Sequence, residues 1–347
     1  MMPTVLPNRI LSFQKLKSTI DLPIWLYKVF NYEYWPSWLM YTLISPYIFY
    51  LAFRARSPLF FTNVNPAIRM SGLINYSKHN VLQMLPKTLV PNSYLVRQGD
   101  QLEDLPSALH FPIIAKPDKG ERGQGVAKIE NTLQLQEYLA STKQATILQQ
   151  YVEYPFEAAV FYVRKPGETH GVITSFTTKE FLSVVGDGMS TVRQLMEAKF
   201  RSKMQIARMP PSVLSSIPSL GEHRLMEPIG NHSRGTRFLN ANAKISGSLV
   251  ATFDHLSQGV EGFYYGRYDL KYKDLDSLSR GIDYKIVELN GVNSEPVHIY
   301  DQSTGVFQAF RDLCVHWKLM FLIGQENEQR GFPYASVRDF MKVLFDR

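Results

Sequence analysis

The sequence has 347 residues, 45% hydrophobic and 20% charged; this is near ordinary globular usage and excludes wholesale disorder, collagen and coiled-coil architectures. At about 150 residues per domain, the length suggests about two domains. Basic residues outnumber acidic ones 38 to 31, a net charge of +7, which favours anionic partners such as phosphates, carboxylates or an anionic membrane face. A single cysteine, Cys314, excludes a disulfide framework and any multi-cysteine zinc or iron–sulfur site. No zinc-finger, homeodomain or RNA-recognition pattern is present, so no nucleic-acid partner is expected. Met1–Pro7 carries no charged n-region followed by an apolar run, which predicts no export signal and a location in the cytoplasm or on the inner face of the cell membrane.

Residues 1–76 read as a hydrophobic amino-terminal region. Trp35–Phe53 contains no charged residue, and its length is near the ~20 residues a bilayer span requires. Lys28 precedes it, Arg54 and Arg56 follow it, and Pro36 and Pro46 lie within it. Aromatic rings beside basic residues suit a membrane interface. A proline inside a helix removes one backbone donor, so Pro46 predicts a kinked, shallow hairpin rather than a straight span. Three readings stand for residues 24–61: a helix or helix pair packed on the main domain, peripheral membrane contact, or a span.

From about Ser77 short apolar runs alternate with polar loops. His110–Lys116 reads as a strand ending in a lysine. Gly120, Gly123 and Gly125 then fall within six residues, beside Lys119 and Arg122. Glycine lets backbone N–H groups approach phosphate oxygens; the bland alternative is a surface hairpin turn. The pattern is neither a P-loop nor a dinucleotide fingerprint. Val126–Ile129 reads as the returning strand, Thr132–Ala140 as a short helix and Thr146–Val152 as a further strand. Glu157 and the apolar run Ala158–Val163 follow. This order predicts an α+β unit with antiparallel hairpins.

Toward the carboxyl terminus, Gly266–Leu270 and Ile286–Asn290 read as neighbouring strands. They bring Asp269, Glu288 and Asn290 together, because the period of two sends Glu288 and Asn290 to one face. Two carboxylates and an amide oxygen form a hard-oxygen set suited to Mg²⁺ or Mn²⁺; acidic strand ends facing solvent are the alternative. His223 and His298 read first as ordinary surface or core histidines. Arg234 and Arg237 flank a glycine-containing loop, where guanidinium forks suit a carboxylate or phosphate. Cys314 reads as core, and Pro210–Pro218 with Met226 as a lid over the site.

With those residues in place, the chain resembles the ATP-grasp superfamily of carboxylate–amine ligases from about Lys78 to Tyr300. Within it the chain looks similar to the D-alanine–D-alanine ligase and cyanophycin synthetase type. The resemblance implies two α/β lobes sandwiching a nucleotide, the first over residues 77–165 with the glycine loop, the second over residues 166–347 with the metal site. It implies ATP contacts from Lys78, Lys116, Lys179, Glu121, Arg122, Gly123, Gly125 and Val126. Gln149, Gln150 and Val152 fall on the segment that reads adenine, and Glu157 matches the ribose-binding glutamate. Asp269, Glu288 and Asn290 match the metal set, and Arg267 and Lys116 the catalytic cations. The segments Val185–Val192 and Gly230–Thr236 resemble parts of cyanophycin synthetase. Gln149-Gln150 stands where relatives often carry Glu-Lys, and Gly291–Pro296 departs from the Thr-Ser-Pro-Gly that often follows the metal asparagine. The implied activity is ligation of a small-molecule carboxylate to an amine through an acyl phosphate. Relatives on this scaffold that phosphorylate hydroxyls leave a kinase open, and a membrane-associated nucleotide-binding module without catalysis is a third reading. Relatives are often homodimers.

Overall fold

The computed structural model describes residues 23–98, 100, 109–120 and 123–345, so the export reading at Met1–Pro7 lies outside the described residues. The first sheet comprises β1 (Ser93–Val96), β2 (Ile113–Pro117), β3 (Ala127–Ile129) and β4 (Thr146–Gln150), in the order β1-β4-β2-β3. The strand expected from His110 starts at Ile113, because Pro112 has no N–H to give a ladder. The returning strand forms as expected, with Ile113 opposite Ile129. Helix Thr132–Ser141 begins where the Asn131 side chain accepts the Gln134 N–H at 3.0 Å, a normal N-cap. Leu135 is its buried residue, packed among Ile113, Ala115, Ile129 and Leu148.

The second sheet contains β5 (Phe156–Val163) and β6 (Val172–Glu180). After a separate two-stranded sheet of β7 (Ser183–Val185) and β8 (His223–Leu225), it is completed by β9 (Arg237–Asn240), β10 (Tyr265–Tyr272) and β11 (Tyr284–Asn290). Its order is β11-β10-β5-β6-β9, antiparallel throughout. The apolar run Ala158–Val163 is the central strand, buried on both faces, which is why it lacks a polar alternation. Ala158, Val160 and Tyr162 face one core, shared with Phe253 and Leu249 of helix Gly247–Gln258. Phe161 and Val163 face a second core against Met320 and Ile323 of helix Val306–Gln329.

The segment expected to form a lid is instead packed away. Pro211–Ser215 is a short helix, with proline in its first turn, where a missing N–H does no harm. Leu214 is buried among Leu182, Val184, Val192 and Met196, and Met226 rests on the same cluster.

In the amino-terminal region, helix Ile24–Phe30 precedes helix Ser37–Ala55. The second helix runs through Pro46 unbroken, which corrects the hairpin expectation. Pro46 cannot bond the Thr42 carbonyl, and the Ser45 hydroxyl donates to that oxygen instead, at 2.8 Å. Met40, Ile44, Leu51 and Ala55 are buried at helical spacing. Met40 and Ile44 meet Ala309 and Leu313 of helix Val306–Gln329, where Cys314 is half-buried rather than core. The opposite face exposes Trp38, Leu43, Phe49 and Phe53, the last at 82%. Among the described residues no helix is long and apolar enough to cross a membrane.

Candidate active site

The register of β10 and β11 sets the acidic end of the site. Arg267 stands opposite Asn290 and Asp269 opposite Glu288, so the alternating pleat projects all four from one face. Arg267 holds Asp269 through Nε and Nη2, at 3.1 and 3.0 Å, both to Oδ2. Asn290 Nδ2 donates to the same oxygen at 3.1 Å, and Asn290 Oδ1 accepts from Tyr76 Oη at 3.2 Å. Burial raises the Asp269 carboxyl, but Arg267 and Lys179 together hold it well below the usual carboxylate range.

The basic end comes from elsewhere in the chain. Lys78 opens helix Lys78–Gln83, which Ser77 caps, and its Nζ lies 2.8 Å from Glu288 Oε1. Asp118, in the turn after β2, fixes that helix start by accepting the Ser77 hydroxyl and the His79 N–H, both at 2.9 Å. Burial and the neighbouring Asp269 lift the Glu288 carboxyl, but Lys78 and Lys116 together outweigh them, so its pKa falls. Lys116, near the end of β2, is buried. It donates to Gln149 Oε1 at 3.0 Å and to the Val287 carbonyl at 2.8 Å. Burial pushes its ammonium down to about 8, against the pull of Glu288.

Lys179 on β6 stands opposite Glu157 on β5. Its Nζ lies 2.5 Å from Glu157 Oε1 and 3.1 Å from Asp269 Oδ1. Burial alone would depress this lysine; the two carboxylates reverse that and raise its pKa. Lys78, Lys116, Gln149, Gln150, Val152, Glu157, Lys179, Arg267, Asp269, Glu288 and Asn290 all line one cavity of about 670 Å³ between the two sheets. The amide of Gln149 is engaged by Lys116 and by Ser93. That of Gln150 is engaged by the backbone of His110 and Pro112, so neither is free to read a base edge.

Of the glycine loop, Glu121 and Arg122 lie outside the described residues, whereas Gly123 and Val126 reach the cavity wall. Gly123 has a positive φ of 67°, and a Cβ there would meet Asn231 Nδ2 at 2.4 Å. Gly125, at φ 70°, would drive a Cβ into Pro117 at 2.8 Å. Both positions therefore require glycine. Arg234 donates to the carbonyls of Gly123 and Val126, at 3.4 and 3.3 Å, so the segment Gly230–Thr236 clasps the loop across the cavity.

Other candidate residues have structural employment. Arg237 pairs with Glu180 at an exposed position. His298 is buried between Ser175 and Asp312, at 2.8 and 3.0 Å, and His223 is exposed on β8. The reading of the sequence missed Tyr34, Trp35, Tyr41, Glu295 and Tyr300 as site residues, and they too line the cavity. No local pattern marks them.

Residues 75–175 match the family described as RimK-like ATP-grasp domain. Among curated proteins, none matches the sequence. Among solved structures, the D-alanine–D-alanine ligase of Bacillus anthracis complexed with ATP is 12% identical, at a TM-score of 0.45 over 74% of this chain and 68% of that one. The VanG D-Ala:D-Ser ligase of Enterococcus faecalis is 10% identical, at 0.41 over 76% and 64%. A bifunctional glutathione synthetase of Pasteurella multocida is 15% identical, at 0.35 over 65% of this chain and 33% of its own length. This chain thus spans about a third of that enzyme.

Proposed function

From a RimK-like ATP-grasp domain over residues 75–175, we propose that the protein is an ATP-dependent ligase that joins a carboxylate to an amine through an acyl phosphate. The observation that carries this reading is the convergence of three lysines, one arginine and a registered acidic pair on a single cavity. A substrate carboxylate and a triphosphate repel each other, and their approach needs fixed positive charge where it develops. Lys78, Lys116, Lys179 and Arg267 supply that charge, with Arg267 oriented by Asp269. A carboxylate oxygen attacks the γ-phosphorus and ADP leaves. The amine, having given its ammonium proton to solvent, then attacks the acyl carbon through nitrogen; the C–N bond forms as the C–O bond to phosphate breaks, and the second N–H proton leaves with phosphate. Positioning and electrostatics suffice, and no protein nucleophile is required. The glycine loop, clasped by Arg234, keeps water from the acyl phosphate.

The donor set fits a hard divalent cation. Among the described residues no cluster of three or more His, Cys, Asp or Glu side chains exists to hold a metal alone. Asp269 Oδ2 already accepts three N–H groups. Asp269 Oδ1, the Glu288 carboxylate and Asn290 Oδ1 keep spare lone pairs, and Mg²⁺ typically completes such a shell with water and substrate phosphate. When bound, the cation neutralises phosphate charge.

Hydroxylamine tests the chemistry. With Mg-ATP and pooled amino acids and cell-wall precursors, trapping of a hydroxamate is the expected result, because hydroxylamine captures acyl phosphates. Phosphorylated product without hydroxamate would point to a hydroxyl acceptor and remove the ligase reading.

Lys116 makes nucleotide binding pH-dependent. Its ammonium sits at about 8 in the free protein, and phosphate contact raises it. ATP binding at pH 8.5 therefore takes up protons, and affinity falls as pH rises through 8. Calorimetry in buffers of different ionisation enthalpy measures the uptake. Lys116→Arg, always charged, abolishes it; a buffer-independent heat in the unmodified protein contradicts the assignment.

The exposed face of helix Ser37–Ala55, with Arg54 and Arg56 at its end, supports peripheral contact with an anionic bilayer. Co-sedimentation with phosphatidylglycerol vesicles is expected, and is reduced by Trp38→Ser with Phe49→Ser and Phe53→Ser. Protein that stays in the supernatant with these vesicles rules the contact out.

A further inference from the structure

The cavity holds a carboxylate that the nucleotide chemistry leaves without a task. Glu295 follows Asn290 by five residues and lines the cavity. Its Oε1 accepts a hydrogen bond from Tyr41 Oη at 2.6 Å, and its Oε2 accepts one from Tyr300 Oη. Its backbone carbonyl accepts from Arg267 Nη1 at 3.2 Å, which places it beside the reacting end of the site. Among the described residues no Lys, Arg or His forms an ion pair with its side chain, whereas Glu33, Glu157, Asp269 and Glu288 all have one. Both phenol donors are neutral, so they orient the carboxylate without cancelling its charge. Burial and the nearby Glu295 keep the Tyr41 phenol protonated, hence a donor.

We infer that Glu295, held by Tyr41 and Tyr300, recognises the ammonium group of an amine substrate. The inference rests on the ligase reading for the word substrate, and on the geometry alone for the ligand class, a primary amine carried as its cation. A half-buried anion opening on a cavity attracts a cation and repels a second carboxylate. Trp35 lines the same cavity, and an indole face favours a cation. Because Tyr41 belongs to helix Ser37–Ala55, the amino-terminal region is part of the site as well as its outer cover. Glu33 tightens that arrangement: its carboxylate accepts from Arg201, His232 and Gln302, tying the segment before the helix to the Gly230–Thr236 clasp.

The test uses the full-length chain and three probes of matched length: n-butylammonium, 1-butanol and butyrate. Affinities are read by ligand-observed NMR, with ATP affinity measured separately by calorimetry. The expected result is binding of n-butylammonium over the other two. Glu295→Gln is expected to weaken it about tenfold, the order of one charge-assisted hydrogen bond, with ATP affinity unchanged. Equal ammonium affinity in Glu295→Gln, or preference for butyrate, overturns the inference. Should Glu295→Gln fail to fold, Tyr41→Phe with Tyr300→Phe replaces it, and unchanged ammonium affinity there is equally fatal. Glu295-dependent ammonium binding without ATP binding would leave this pocket standing and remove the ligase reading. ATP binding without ammonium selectivity would do the reverse.

Discussion

Glu288→Gln is expected to lower turnover by at least about a thousandfold while the protein stays folded. Glu288 faces Asp269 across the β10–β11 register and touches Lys78 at 2.8 Å. The substitution preserves shape and removes one negative charge from the acidic pair. Charge stabilisation worth several kcal/mol at a phosphoryl centre translates to about tenfold per 1.36 kcal/mol. The side chain is 27% exposed and its lysine partner 15%. The lysine left behind can therefore reach solvent, and the loss of stability is expected to stay near 1 kcal/mol. Steady-state ADP release and urea unfolding are measured on the same preparation. Full turnover in Glu288→Gln, at saturating Mg²⁺, would remove the acidic pair from the mechanism.

Lys179→Met is expected to destabilise the protein by about 3–5 kcal/mol, the range for breaking a buried ion pair by deleting one member. Lys179 sits between Glu157 and Asp269 with its side chain 6% exposed. Methionine fills the volume, strips Glu157 of its cation and leaves Asp269 with Arg267 alone. The sign of the pH dependence follows. The lowered Asp269 pKa gives stability that is present above the unfolded value, about 4, and lost as pH falls through the folded one. The raised Lys179 pKa gives stability that is present below the unfolded value, about 10.5, and lost as pH rises through the folded one. The unmodified protein therefore keeps both contributions at pH 5 and at pH 7. In Lys179→Met, protonation relieves the carboxylates, so its deficit narrows from pH 7 to pH 5. Urea midpoints at both pH values decide it; a deficit below about 1 kcal/mol, or one independent of pH, contradicts the arrangement.

Local chemistry is what the sequence made legible. The spacing of Glu288 and Asn290 placed both on one face, whereas Ala158–Val163 read only as an apolar run until the sheet order made it the central strand. Gly123 and Gly125 were readable as points where backbone N–H groups can approach an anion, whereas the crowding by Asn231 and Pro117 is seen only in the fold. Pro46 misled, because the compensating hydroxyl of Ser45 is a contact rather than a propensity. Pro210–Pro218 misled in the same way: it reads as a loop until Leu214 finds a hydrophobic cluster to enter.

The sequence by itself determined which residues share a face, since alternation and helical spacing follow from backbone geometry within a few residues. Only the tertiary structure decided which faces meet. Lys179 reaches Asp269 across 90 residues, and Tyr41 reaches Glu295 across 254. Such meetings depend on strand order, register and the docking of the amino-terminal helix on Val306–Gln329. These are set by the burial of whole surfaces, and no short stretch of chain carries that information.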